Sequence, residues 1–205
     1  MTGPTALAAR VAIIDGGGAN IASLRFALER LGASAELTSD HRTIQAATHV
    51  ILPGVGAARA AMDRLRARGL DTLIPELRQP LLGVCLGLQL LFERSEEDSV
   101  DCLGILPGVV HRFVEAPGRP VPHMGWNQVT TTRPTPLFAD VPDGSHFYFV
   151  HSYAADVCAA TIATTDYGHP FSAAVQSGNV LATQFHPERS RPPGARILAN
   201  FLTHY

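Results

Sequence analysis

The chain contains no lysine: all 16 of its basic residues are arginine. That absence excludes enzymes that hold a carbonyl cofactor on a lysine, and the phosphate-binding loop whose lysine reaches a nucleotide's phosphates. Cysteine is scarce too, with three widely spaced residues, Cys85, Cys102 and Cys158, and none of the nine histidines stands two or four positions from another. Neither a disulfide framework nor a zinc site is expected, and no residue pattern asks for a metal or any other cofactor. Charge of one sign is lacking as well. Sixteen basic residues against 18 acidic ones leave a net charge of −2, which makes nucleic acid and anionic membrane poor partners. No apolar run is long enough to span a bilayer, and the opening MTGPTALAAR lacks the charged start and longer apolar core of a secretory signal. A soluble, cytoplasmic protein is expected.

What is present is apolar and periodic. At 205 residues and 46% hydrophobic, the chain suits one well-cored domain spanning 11–205, with residues 1–10 as an N-terminal extension expected to be flexible. "VAIID" (11–15) reads as a strand, and Ile21, Leu24, Leu28 and Leu31 then recur at helical spacing until Gly32. "SAELTS" (34–39), "THVILPG" (48–54) and "PLLGVC" (80–85) read as further strands, with helices near 57–68 and 70–78. Strands apolar on both faces point to a parallel sheet flanked by helices, an α/β fold. Beyond about residue 105 the texture turns to strands and turns, including "HFYFVHSY" (146–153) and a hairpin "FSAAVQ–SGN–VLATQF". The Pro-rich 115–122 segment reads as a surface loop, and a helix over 194–204 closes the chain.

The stretch "PLLGVCLGLQLLF" (80–92) carries a thiol between two glycines and continues as a helix. A buried strand that turns sharply into a helix exposes the residue at the turn along the carboxyl edge of the sheet, where open α/β folds bind ligands. Gly83 and Gly87 leave room for that turn. The helix N-terminus from Leu86 offers unpaired N–H groups and positive dipole, both of which favour thiolate over thiol. A lone cysteine on an apolar strand is also commonly a small core hydrophobe, and that reading of Cys85 stays open at this point.

A hundred residues downstream stands "QFHPERS" (184–190). Pro187 disfavours the helical region for His186, so the segment is expected to be extended, with His186 and Glu188 on one face roughly 6–7 Å apart along the backbone. A carboxylate there can reach the imidazole, orient it and stabilise its cation, giving a general base for a nucleophile. An ordinary surface His and Glu is the alternative.

Together "GVCLGLQ", "LPGVGAA" (52–58) and "QFHPE" resemble the class I (triad) glutamine amidotransferases. Adding "PHMGWN" (122–127) and "YFVHSY" (148–153), the chain resembles the glutaminase subunits of imidazole glycerol phosphate synthases over nearly its whole length. The resemblance implies a flavodoxin-like, mostly parallel sheet flanked by helices, with an antiparallel, strand-rich second half. It implies hydrolysis of L-glutamine by Cys85, His186 and Glu188, and a heterodimer with a (β/α)₈-barrel cyclase subunit that uses the ammonia in histidine biosynthesis. Backbone N–H groups of Val55 and Leu86 are the implied oxyanion donors. Gly54, Gly56, Gln89, Ser152 and Tyr153 are the implied substrate contacts, and Asn20, His123, Met124, Trp126 and Arg189 the implied partner face. Gly54 and Gly56 would let the Val55 peptide reorient between a resting and an active state, or would merely turn the chain. "DGGGAN" (15–20) fails the dinucleotide pattern. Where relatives often carry a tyrosine and a further glycine in this loop, the chain has Gly16 and Ala19, which puts local docking contacts in question. Met124 and Trp126 could equally be core, and Arg189 a solvated side chain. His123, His146 and His151, in apolar or aromatic surroundings, are expected to be structural, and only His151 gains functional weight, from its motif. Another ammonia-using synthase, a cysteine hydrolase, or a silent binding module of the same fold are the competing functions.

Overall fold

The computed structural model describes residues 9–16 and 21–205. The chain opens with β1 (Arg10–Ile14), α1 (Ile21–Arg30), β2 (Ser34–Thr38), α2 (His41–Ala46), β3 (His49–Gly54), α3 (Ala58–Ala67) and α4 (Leu70–Leu73). Then come β4 (Leu81–Cys85), α5 (Leu86–Leu90), β5 (Phe92–Ser95), β6 (Val100–Asp101), β7 (Leu106–Arg112), β8 (His123–Gln128) and β9 (Thr130–Thr131). The last part is β10 (His146–His151), β11 (Tyr153–Ala155), β12 (Thr161–Asp166), β13 (Pro170–Ser177), β14 (Val180–Thr183) and α6 (Arg191–His204). The main sheet has eight strands in the order β2-β1-β3-β4-β14-β13-β12-β9. Its first five are mutually parallel and its last three run antiparallel. A four-stranded sheet, β11-β7-β5-β6, and the β10-β8 ribbon complete the architecture.

Alternation along the central strands explains the layering. Val11 and Ile13 point to one face with Ile51, Leu82 and Val84, where α1 (Leu24, Leu28) and α6 (Ile197, Leu198, Phe201) cover them. Ala12 and Ile14 point to the other with Val50, Leu52 and Leu81, covered by α2, α3 and α5. Each such Leu, Ile or Phe contributes roughly 1.5–3 kcal/mol by leaving water. A parallel sheet needs this cover on both faces, which is why its strands read as unbroken apolar runs.

Several expectations are refined. β1 begins at Arg10, inside the segment expected to be an extension, while residues 1–8 lie outside the described region. The helix after Cys85 is five residues long, and the same apolar run turns into β5, which pairs in parallel with β7. The expected 70–78 helix is α4 followed by a 3₁₀ turn at Ile74–Glu76, where Pro75 cannot donate to a helical ladder. "HFYFVHSY" breaks at Ser152 into β10 and β11 of different sheets. The hairpin does form, but β14 is a central parallel partner of β4 rather than part of an appended sheet.

Close approach at the β4–α5 turn explains its glycines. A Cβ on Gly83 would stand 2.9 Å from Ala182 Cβ, and one on Gly87 would land on the Leu52 carbonyl oxygen. Gly87→Ala is therefore expected to lower unfolding stability by about 1–3 kcal/mol, read by urea denaturation. Gly16→Ala, where nothing among the described residues lies within 4 Å of the added carbon, should stay within about 0.5 kcal/mol of the parent. Equal effects of the two would contradict this packing account.

Candidate active site

The site is assembled by strand register. Gly54 of β3 lies opposite Cys85 of β4, and Val84 lies opposite Thr183 of β14. β3 and β4 thus end level and β14 one residue earlier, and the residues that follow, Val55, Leu86 and Gln184, lie at the carboxyl edge. Cys85 sits at the turn with φ 55° and ψ −112°, a conformation that L residues adopt only under local strain. The turn puts the side chain against a cavity of about 410 Å³. Cys85, Leu86 and Gln89 line this cavity with Gly54, Val55, Gly56, Ser152, Tyr153, His186, Glu188 and Arg189.

His186 enters from β14's continuation. Its backbone is extended, φ −95° and ψ 97°, and its N–H donates to the Tyr148 carbonyl at 2.9 Å while its own carbonyl accepts from the Ser190 hydroxyl at 2.6 Å. Glu188 is not extended, as the sequence suggested, but lies in a 3₁₀ turn over Pro187–Arg189. That turn folds its carboxylate back so that Oε1 stands 2.9 Å from His186 Nδ1. Both side chains are over nine-tenths buried. Among the described residues His186 Nε2 and Glu188 Oε2 are buried without a conventional hydrogen-bond partner, and such orphans concentrate where function demands them. With Nδ1 taken by Glu188, Nε2 is the nitrogen left for the thiol. Burial alone would push the imidazole's pKa down, but the Cys85 sulfur and the Glu188 carboxylate outweigh it and raise it to about 10. The arrangement suits a cationic imidazole beside the sulfur.

The two glycines around Val55 serve different ends. A Cβ on Gly54 would stand 2.7 Å from Leu86 Cβ, so that glycine is required by close packing against the turn rather than by flexibility. Gly56 has φ +84°, and among the described residues nothing lies within 4 Å of a Cβ added there. Gln89 is buried, and its Nε2 donates to the Tyr153 carbonyl at 2.8 Å. The Ser152 carbonyl accepts from Phe113 N–H at 2.9 Å. Those two carbonyls are therefore engaged within the chain.

The residues implied as a partner face separate. Met124 is 67% and Trp126 44% exposed, so neither is core. Arg191 stacks over Trp126 at 5.3 Å and Arg189 over Tyr148 at 5.2 Å, forming an aromatic–cation surface beside the cavity rim. His123 does not belong to it. It is 4% exposed, stacked on Tyr167 at 4.1 Å and bonded to His151 at 2.9 Å, so its side chain is interior. Asn20 and Ala19 lie outside the described residues. Sequence reasoning missed Glu97, whose carboxylate lines the cavity and accepts from Ala58 N–H at 2.7 Å. It sits in the acidic "SEEDS" stretch, where nothing distinguishes it from its neighbours. Ser190 and Gln184 were also missed, although both lie inside "QFHPERS".

A family model described as glutamine amidotransferase class-I matches residues 12–205. The chain belongs to this family. Over 192 residues it is 56% identical to imidazole glycerol phosphate synthase subunit HisH of Xanthomonas axonopodis pv. citri (strain 306), covering 94% of this chain and 96% of that one. The subunit of the same name from Xylella fastidiosa (strain Temecula1 / ATCC 700964) is 54% identical over the same shares. Among solved structures, PurLQS from Thermotoga maritima superposes with a TM-score of 0.71 at 18% identity, covering 97% of this chain and 99% of that one. At that identity the likeness concerns the fold. The mostly parallel α/β sheet read from the sequence is thus the fold of a class-I amidotransferase.

Beside the amidotransferase cavity, burial pushes the His123 pKa down to about 4 and the His151 pKa down to about 3. The unfolded chain takes up these protons below about pH 6.5. The pair's contribution to stability is therefore complete above that pH and is lost as pH falls toward the folded-state values. The drop in unfolding free energy between pH 7 and pH 5 should be smaller in His151→Gln by about 1–2 kcal/mol. Urea titrations at the two pH values measure it, and an unchanged difference would contradict the assignment of a neutral histidine pair.

Proposed function

We propose that this chain is the glutaminase subunit of imidazole glycerol phosphate synthase. It hydrolyses L-glutamine to glutamate and ammonia and delivers the ammonia to a (β/α)₈-barrel cyclase subunit in histidine biosynthesis, in the cytoplasm. The observation that carries the chemistry is the 2.9 Å contact between His186 and Glu188, with the strained Cys85 in the same cavity. The 56% identity to a HisH subunit over 94% of the chain supports the choice of synthase.

The Cys85 thiolate attacks the side-chain amide carbon of glutamine, and the carbonyl oxygen takes the negative charge. Backbone N–H groups of Leu86, at the start of α5, and Val55, just beyond β3, are the donors for that oxyanion. His186 gives its Nε2 proton to the departing nitrogen as ammonia leaves, producing a glutamyl thioester. The sulfur is then neutral. One of the two influences that raise the His186 pKa has disappeared, so the imidazole becomes a base able to take a proton from water. Glu188 holds the ring through both halves. Glu97 offers a carboxylate in the cavity wall to the substrate's ammonium, and Gln89, whose Nε2 is engaged, offers its carbonyl oxygen. Met124, Trp126, Arg189 and Arg191 are the surface for the cyclase, since exposed aromatic and arginine side chains are typical anchors of an interface. Gly56 lets the Val55 peptide reorient when that partner binds.

In the complex with the cognate cyclase, Cys85→Ala should abolish glutamine-dependent synthesis while ammonia-dependent synthesis persists. His186→Ala should lower glutamine turnover by about 10²–10⁴-fold, and Glu188→Gln by less, because it weakens orientation without deleting the base. Adding cyclase and its nucleotide ligand to the parent chain should raise turnover by about 100-fold. Glutamine-dependent synthesis by Cys85→Ala, or the reverse ranking of the other two variants, would contradict the reading.

A further inference from the structure

The Tyr153 carbonyl oxygen can only accept hydrogen bonds, and two donors converge on it, His151 Nδ1 and Gln89 Nε2, each at 2.8 Å. The second contact fixes which way round the Gln89 carboxamide stands. Gln89 Nε2 carries two hydrogens, and its other contact is Gln184 Oε1 at 3.1 Å. A donor there requires an oxygen opposite it, so the Gln184 carboxamide must turn its nitrogen the other way. That nitrogen lies 3.9 Å from Cys85 Sγ. The orientation thus follows from a carbonyl that cannot donate, through two carboxamides, and it ends with an N–H aimed at the sulfur.

Gln184 is 0% exposed. Leaving a buried amide N–H without an acceptor is unfavourable by roughly 1–3 kcal/mol, and among the described residues the acceptor found for it is the sulfur. The Val150 carbonyl, also 3.9 Å from Sγ, can accept only from the protonated thiol. The two contacts therefore favour opposite protonation states, and the Gln184 contact strengthens as charge develops on sulfur.

We infer that Gln184 is a positioning residue of the glutaminase reaction, oriented by Gln89 and the Tyr153 carbonyl so that its carboxamide donates to the Cys85 sulfur and stabilises the attacking thiolate. The inference rests on Cys85 being the nucleophile. It also ties the sulfur to the substrate end of the cavity, because both N–H groups of Gln89 are committed and only its carbonyl oxygen remains to meet a ligand.

Alkylation of the full chain by iodoacetamide, followed against pH with the adduct mapped to Cys85, reads the thiolate midpoint. The charged and titratable groups around the cavity, His186, Glu188, His151 and Glu97 with Arg189 at the rim, are the same in Gln184→Met. That variant keeps the side chain's length and deletes the donor. Its midpoint should rise by about one pH unit, a tenfold loss of thiolate below both midpoints. In the cyclase complex its kcat should fall about tenfold with KM within about twofold. Gln89→Met, which frees the Gln184 carboxamide to rotate, should move the midpoint in the same direction by less. A parental midpoint in a folded Gln184→Met chain overturns the inference, whatever happens to kcat; if that variant does not fold, a parental midpoint in Gln89→Met does so. Glutamine turnover by Cys85→Ala is a different result, because it removes the nucleophile assignment itself.

Discussion

Three parallel strands, β3, β4 and β14, end within one residue of one another, and the hydrogen-bond ladder that sets their register is the constraint on which the site depends. Gly54 faces Cys85 across one side of that ladder, and Thr183 faces Val84 across the other. A slip of one residue would reverse every side chain on a strand between the two apolar faces. Burial of Leu52, Leu82 and Leu181 therefore fixes where Val55, Cys85 and Gln184 emerge. Residues 99 positions apart are brought into contact by packing that has no chemistry of its own.

The electrostatics at that edge follow from proximity in a dry setting. Removing His186 from water should make it a weaker base, yet a sulfur and a carboxylate beside it reverse the sign. The same closeness makes the imidazole responsive to the state of the sulfur, which in the proposed reaction would let one side chain serve as acid before the thioester forms and as base after it. The strain at Cys85 is sustained because Gly54, Gly83 and Gly87 let neighbouring backbone approach more closely than any side chain would allow.

Much of this was legible in the sequence where residue type and local constraint coincide. The apolar strands, the turn at Cys85 and the pairing of His186 with Glu188 could be read from β-branched runs, flanking glycines and a proline. The geometry behind the pairing was misread, since Glu188 reaches His186 through a 3₁₀ turn and not along an extended strand. The short α5 and the entry of β14 into the main sheet were hidden, because periodicity cannot distinguish a run that ends in a helix from one that pairs with a distant strand. The resemblance placed His123 on the partner face with Met124 and Trp126, but alternation along β8 sends it inward, as its apolar surroundings in the sequence led one to expect. Gln184 lies inside "QFHPERS", but its role was not legible there, because what a carboxamide does depends on which partners a fold brings to each end of it.

We propose that this strand register delivers Cys85 to the substrate as a covalent nucleophile. The most direct measurement is acid-quenched peptide mapping of the full chain, bound to its cyclase, during turnover of glutamine. A glutamyl adduct on the peptide containing Cys85, absent in Cys85→Ala, is the predicted result. Steady glutamine hydrolysis with Cys85 unmodified, or an adduct carried by another residue, would contradict it.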